Sequence, residues 1–125
     1  MKSVLLVMIG GAIGAAMRYG IGRALLIGAG GWPWPTFVCN IVGGFAMGLL
    51  AGWLARFGGG GQDLRLLLGV GVLGGFTTFS AFSLEMALMV EKGQMMQAAT
   101  YAVVSVLLAL GALFGGLAIM RSMPA

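Results

Sequence analysis

Charged residues divide this chain into long apolar stretches. Fifteen uncharged residues separate Lys2 from Arg18, 32 separate Arg23 from Arg56, 19 separate Arg65 from Glu85, and 28 separate Lys92 from Arg121. A transmembrane helix needs roughly 17 to 25 apolar residues. Three of the stretches reach that length unaided, and the first reaches it once Arg18 or Arg23 snorkels to the interface. The pattern predicts an all-α integral membrane protein. Its four transmembrane helices fall at about Val4–Ile27, Phe37–Leu54, Leu66–Val90 and Ala98–Met120, in one domain over residues 1–125.

The links between these spans are short and rich in glycine or polar residues. Gly28–Trp34 forms the first, with Pro33 and Pro35 beside it and two tryptophans suited to a membrane interface. Gly58-Gly59-Gly60-Gly61-Gln62-Asp63 forms the second, and Glu91-Lys92-Gly93-Gln94 the third. None can hold a soluble domain. Lys2 ahead of an apolar stretch with small residues resembles a cleaved leader. Cutting near Ala15 would delete a span, so the stretch is read as the first helix.

Composition agrees with the pattern. Hydrophobic residues make up 60% and charged residues 8% of the chain, against about 25% charged in soluble domains. There is no His, Cys39 is the single cysteine, and the acids are Asp63, Glu85 and Glu91. An intrachain disulfide, a His/Cys metal cluster and a Ser-His-Asp triad are therefore excluded. A carboxylate pair is not expected either, with Asp63 and Glu91 in links. The chain has little with which to perform enzyme chemistry, and no nucleic-acid partner is expected.

The net charge is +4, and its placement carries more information than its size. With the N-terminus on the cytoplasmic side, Lys2, Arg56, Arg65 and Arg121 lie there, and Arg18, Arg23 and Lys92 lie opposite. Orientation follows the Lys/Arg bias between sides, and this bias is nearly absent. Insertion in both orientations would make an antiparallel homodimer available. A single orientation set by one dominant loop fits the same count.

Glycine occurs 24 times, often at four-residue spacing. Gly10 and Gly14 fall in the first span, Gly44, Gly48 and Gly52 in the second, Gly71 and Gly75 in the third, and Gly111 and Gly115 in the fourth. Such rows let helix backbones approach closely, which leaves room for a small solute rather than a bulky one. Gly69-Val70-Gly71-Val72-Leu73-Gly74 matches the GxGxxG dinucleotide fingerprint. That fingerprint needs a preceding strand and a later acid, and here it lies inside a span.

The third span holds the least ordinary run, Gly74-Gly75-Phe76-Thr77-Thr78-Phe79-Ser80-Ala81-Phe82-Ser83. Paired glycines and paired threonines are poor helix formers, so a break in the helix is expected here. Non-helical backbone at that depth must be buried or line a wet cavity, and its freed carbonyls can bind a cation. Phe79 and Phe82 lie three apart, on a face with Ser83 and Met86. Phenyl rings carry a positive edge that can face an anion, and the same spacing fits plain core packing. Asn40 is the only Asn. Its amide can donate to an anion or bind helices together. Tyr101 and Ser105, four apart, put two hydroxyls on one face of the fourth span. Glu85 is the one carboxylate inside a predicted span, placed to reach a vestibule or to pair with Arg18 or another base.

Three segments together resemble the fluoride channel family known as Fluc or CrcB. They are Gly10-Gly11-Ala12-Ile13-Gly14-Ala15-Ala16-Met17-Arg18-Tyr19, then Asn40 followed by Gly43-Gly44, and then Gly74-Gly75-Phe76-Thr77-Thr78-Phe79-Ser80-Ala81-Phe82. The third is the most specific, and the resemblance extends over the whole chain. It implies a fluoride-selective passive channel, not an enzyme, that exports fluoride across the cell's inner membrane and relieves fluoride toxicity. It implies an antiparallel, dual-topology homodimer with two pores. A structural Na+ would lie on the dimer axis, held by backbone carbonyls of Gly74 and Thr77 from both subunits. Asn40, Phe79, Ser80, Phe82, Tyr101 and Ser105 would border the fluoride path, and Arg18 matches an arginine of the family's first motif. Arg18 and Glu85, from their positions in the spans, are the candidates for a vestibule. In some relatives the hydroxyl track continues one turn further, where this chain has Ala109.

Two other readings suit a small four-span chain. A proton-coupled multidrug exporter calls for a glutamate in the first span, and here the only intramembrane glutamate is in the third. A structural membrane subunit without transport activity would depend on partner chains.

Overall fold

A computed structural model describes residues 1–25, 31–58 and 61–124. The chain runs through α1 (Lys2–Ala24), α2 (Trp34–Phe57), α3 (Gln62–Leu64), a π-helical segment (Arg65–Leu73), α4 (Gly74–Phe76), α5 (Phe79–Glu91) and α6 (Met95–Ser122). No strand occurs among the described residues. α1, α2, the run Gln62–Glu91 and α6 contain 23, 24, 30 and 28 residues, and each is long and apolar enough to cross a bilayer. A helix rises about 1.5 Å per residue against a hydrocarbon core about 30 Å thick. The protein is therefore a multi-pass membrane protein with four spans.

The helix ends differ from the pattern-based expectation for local reasons. α1 stops at Ala24, because Leu25 is extended, and the expected end at Ile27 lies outside the described residues. α2 begins at Trp34 rather than Phe37, with Pro35 in its first turn, where a missing N–H costs nothing. α6 extends a turn beyond the expected span at its N-terminal end, beginning at Met95. Asp63 is not in a link but in α3, where it pairs with Lys2 at 2.6 Å. Glu91 is the last residue of α5. Gly93 makes the reversal into α6 with φ of 78°, a left-handed conformation that favours glycine. Gly28, Ala29, Gly30, Gly59 and Gly60 of the expected links lie outside the described residues.

Two helix pairs organise the bundle. α2 packs along α6, and α1 packs along the π segment and α4. Glycine makes both contacts possible. A Cβ on Gly10 or Gly14 would strike the backbone of Leu67 or Val72, and one on Gly48 would strike the Leu113 carbonyl. Gly44 faces Ala109 in the same way, and Gly75 faces Gly11. The fourth-span row is an exception. Gly111 and Gly115 meet nothing within 4 Å, and Gly116 is the residue seated against Phe45 and Leu49. A four-residue spacing does not reveal which face of an apolar helix meets a neighbour.

The remaining side chains sort by contact. Phe37, Phe82, Met89, Ala98 and Tyr101 form a buried cluster joined by Trp32, Ile41 and Met86. Val4, Met8, Ile13, Val103, Leu107 and Phe114 are exposed large hydrophobics, a coat suited to lipid rather than water. At the opposite end of the bundle, Arg56 Nη1 donates to the carbonyls of Met120 (2.8 Å), Arg121 (3.1 Å) and Met123. It satisfies acceptors that the end of α6 leaves open.

Candidate functional site

The site is built on the two residues between α4 and α5. Thr77 ends α4 with ψ of 158°, and Thr78 is extended at φ −150° and ψ 122°. The hydrogen bonds around them are rearranged from the helical pattern. Thr77 N–H and Thr77 Oγ1 both donate to the Leu73 carbonyl at 3.0 Å. The Thr78 amide donates to Asn40 Oδ1 at 2.8 Å, and Asn40 Nδ2 donates to the Thr78 carbonyl at 3.1 Å. Thr78 Oγ1 accepts from the Ala81 amide at 3.1 Å and so caps α5. Arg18 Nε donates to the Gly75 carbonyl at 3.1 Å.

These exchanges decide which carbonyls stay available. In an uninterrupted helix the amide of residue 78 would serve the Gly74 carbonyl, and that of residue 81 would serve Thr77. Here the first goes to Asn40 and the second to the Thr78 hydroxyl. Gly74 and Thr77 lose their helical donors, whereas Gly75 and Thr78 gain side-chain ones. Unserved carbonyl oxygens are the ligands that a hard monovalent cation takes.

A cavity of about 340 Å³ opens beside this segment. It is lined by Asn40, Gly43 and Gly44 from α2, by Thr77, Thr78, Phe79 and Phe82, and by Ser105 and Ala109 from α6. Among the described residues, no charged side chain lines it. Gly43 permits the close approach of Thr77, whose methyl occupies the place of a Cβ there. Phe82 is buried, Phe79 is 76% exposed, and their ring centroids stand 5.8 Å apart. Ser105 is 5% exposed, and its hydroxyl has no protein partner among the described residues. A buried hydroxyl without a partner costs about 1–3 kcal/mol, so an acceptor from outside the chain would relieve it. The amino-terminal end of α5 also faces the cavity through Thr78 and Phe79, and the partial positive charge there favours an anion.

The other expected site residues lie elsewhere. Ser80 is exposed, outside the cavity lining, with its hydroxyl 3.3 Å from that of Thr78. Tyr101 is fully buried, and its hydroxyl donates to Glu85 Oε1 at 2.8 Å instead of pointing along α6 toward Ser105. Thr36 Oγ1 donates to Glu85 Oε2 at 2.8 Å. Glu85 thus has hydroxyl partners, not Arg18, which is committed to Gly75. Arg18 and Arg23 border a separate crevice of about 300 Å³ with Tyr19, Gly22, Pro35 and Thr36. Thr36 links that crevice to Glu85.

The sequence pattern gives Thr36 no role and reads Thr78 only as half of the threonine pair that breaks the helix. Thr36 gives no signal beyond following a proline at a helix start. Thr78 is legible in hindsight as a helix cap, since a threonine three residues ahead of a bonded amide is the ordinary capping arrangement. Asn40 lines the cavity as expected, but its Oδ1 and one Nδ2 hydrogen are engaged by the Thr78 backbone.

Comparison with known proteins gives one answer. Residues 5–117 match the family described as CrcB-like protein, Camphor Resistance (CrcB). The chain is 58% identical to the fluoride-specific ion channel FluC of Phenylobacterium zucineum, over 97% of both chains. It is 55% identical to that of Caulobacter sp. strain K31, over 97% of this chain and 96% of the relative. It is 53% identical to that of Sphingopyxis alaskensis over the full length of both.

Proposed function

The chain belongs to the CrcB family, and from that membership we propose that it is a fluoride-selective passive channel. The family is one of ion channels and not of enzymes. The observation that carries the reading to this chain's own residues is the uncharged cavity with the buried, unpartnered Ser105 hydroxyl. Fluoride is small and strongly hydrated, so its path must replace water with donors. A fixed cation in a low-dielectric site would hold it too tightly to release, because a conducting site must bind weakly enough to empty. Neutral donors and phenyl edges at Phe79 and Phe82 meet both needs.

The physiological role follows from the chemistry of the solute. Hydrogen fluoride enters from acid surroundings as a neutral molecule and dissociates in the cytoplasm. Fluoride then leaves through the channel down its electrochemical gradient, which relieves its toxicity. An all-helical bundle suits the cell's inner membrane, since outer-membrane spans are β-barrels. Arg18 and Arg23 would draw anions to the crevice beside Thr36, and Glu85 would stand at its inner end.

The working unit in this reading is an antiparallel, dual-topology homodimer. The nearly even Lys/Arg distribution supports insertion in both orientations. The exposure of Phe79 beside an open cavity supports a second copy as the missing wall. A structural Na+ on the two-fold axis would take the Gly74 and Thr77 carbonyls of both subunits. The diversion of their helical donors fits such a site. The ion would join two like segments without adding a charged side chain to the membrane interior.

The test is fluoride efflux from liposomes containing the purified protein. Release down the gradient without a proton gradient is the expected result. No release from folded dimers would refute the channel. Replacing Na+ by a large organic cation is expected to weaken dimer assembly, and indifference to the exchange would refute the sodium site.

A further inference from the structure

Asn40 is unusual in where its amide goes. Both ends engage one residue's backbone, with Oδ1 accepting from the Thr78 amide at 2.8 Å and Nδ2 donating to the Thr78 carbonyl at 3.1 Å. A primary amide paired this way copies the contact between neighbouring strands and holds Thr78 in its extended conformation. It leaves one Nδ2 hydrogen for anything else. Without this clamp the Thr78 amide would sit in lipid-depth surroundings with no acceptor, a costly state. Its nearest remedy is the helical bond back to the Gly74 carbonyl, which is only four residues away in sequence. Thr77 adds to the same arrangement, because its amide and hydroxyl both serve Leu73 and neither competes for Gly74.

We infer that Asn40 is a positioning residue for the cation site, and that by holding Thr78 it keeps the Gly74 carbonyl open for sodium. This rests on the sodium reading proposed above. Asn40 also lines the anion cavity, so one side chain builds both sites. Changing it alters cation affinity as well as fluoride passage, which an asparagine acting only as an anion donor would not do.

The experiment is sodium titration of dimer assembly, read by size-exclusion chromatography and by tryptophan fluorescence during thermal unfolding. The unmodified protein is compared with Asn40→Ala and with Phe82→Ile, a cavity change that removes neither hydrogen bond between Asn40 and Thr78. In the alanine variant the Thr78 amide returns to Gly74. One net backbone hydrogen bond corresponds to roughly a fivefold shift per subunit, so about 25-fold for a site shared by two. The midpoint sodium concentration should rise accordingly in Asn40→Ala and stay put in Phe82→Ile. Equal midpoints in the alanine variant and the unmodified protein would overturn the inference. An unmodified protein that ignores sodium would overturn the sodium reading and the inference with it. If the alanine variant does not fold, amide hydrogen exchange at Thr78 in the unmodified protein decides. Protection in sodium-free buffer supports the clamp, and rapid exchange overturns it.

Discussion

Replacing Ser105 by alanine should separate stability from transport. Most buried hydroxyls are anchored by a protein partner, so removing one weakens the fold. Ser105 Oγ has no such partner among the described residues and is almost wholly enclosed. Its removal breaks no protein hydrogen bond and relieves a desolvation cost of about 1–3 kcal/mol, offset in part by the small void left behind. The net expectation is an unfolding midpoint that is unchanged or raised, by up to about 1 kcal/mol. Transport should move the other way. A hydrogen bond to an ion contributes about 1.5–3 kcal/mol, so losing it at the rate-setting position slows fluoride roughly 10- to 150-fold. Efflux from liposomes, followed with a fluoride electrode, gives the rate. Tryptophan fluorescence on the same preparation gives the midpoint. A variant with normal efflux and a lowered midpoint would refute the reasoning, because Ser105 would then be an ordinary packing residue.

Three other substitutions test the frame around the site. Gly48→Ala would place a methyl on the Leu113 carbonyl and force α2 from α6, at about 1–3 kcal/mol, whereas Gly111→Ala meets no atom within 4 Å and should be neutral or mildly stabilising; unfolding midpoints of the pair give the contrast. Arg56→Gln removes the guanidinium that binds the Met120, Arg121 and Met123 carbonyls, so the last turn of α6 should exchange amide hydrogens faster, with a stability loss of about 1–3 kcal/mol. Thr36→Val takes a 2.8 Å donor from Glu85 and should lower the midpoint by a similar amount, about 1–3 kcal/mol, with Thr36→Ser restoring most of it.

The spans were legible because a membrane imposes a length and excludes charge, and both can be counted along a chain. Helix ends were less so. α2 starts three residues before its expected start because Pro35 tolerates the first turn, which hydropathy does not register. Packing faces were partly legible. The glycine rows of α1 and α2 meet neighbours, but Gly111 and Gly115 do not, and Gly116 does. An apolar helix carries no polar face to indicate which side is inward, so spacing alone does not choose between the face of Gly111 and Gly115 and that of Gly116.

The site shows the same limit at finer scale. Residue types mark Asn40 and Glu85 as costly inside a membrane, because an unpaired polar group at that depth is unfavourable wherever it sits, and Tyr101 as a hydroxyl on one face of its span. They could not say which partner relieves each cost. Tyr101 turned out to serve Glu85, and Asn40 to serve the Thr78 backbone. Both pairings join residues on different spans, so no local pattern encodes them. The consequence reaches function. Those two polar groups satisfy protein partners; among the described residues the buried side-chain groups left without one are Ser105 Oγ and Trp32 Nε1, and of these the hydroxyl lines the cavity. A neutral channel can be assembled in this way. Most of its polar groups satisfy one another, and an unsatisfied hydroxyl on the cavity wall marks where the ion should pass.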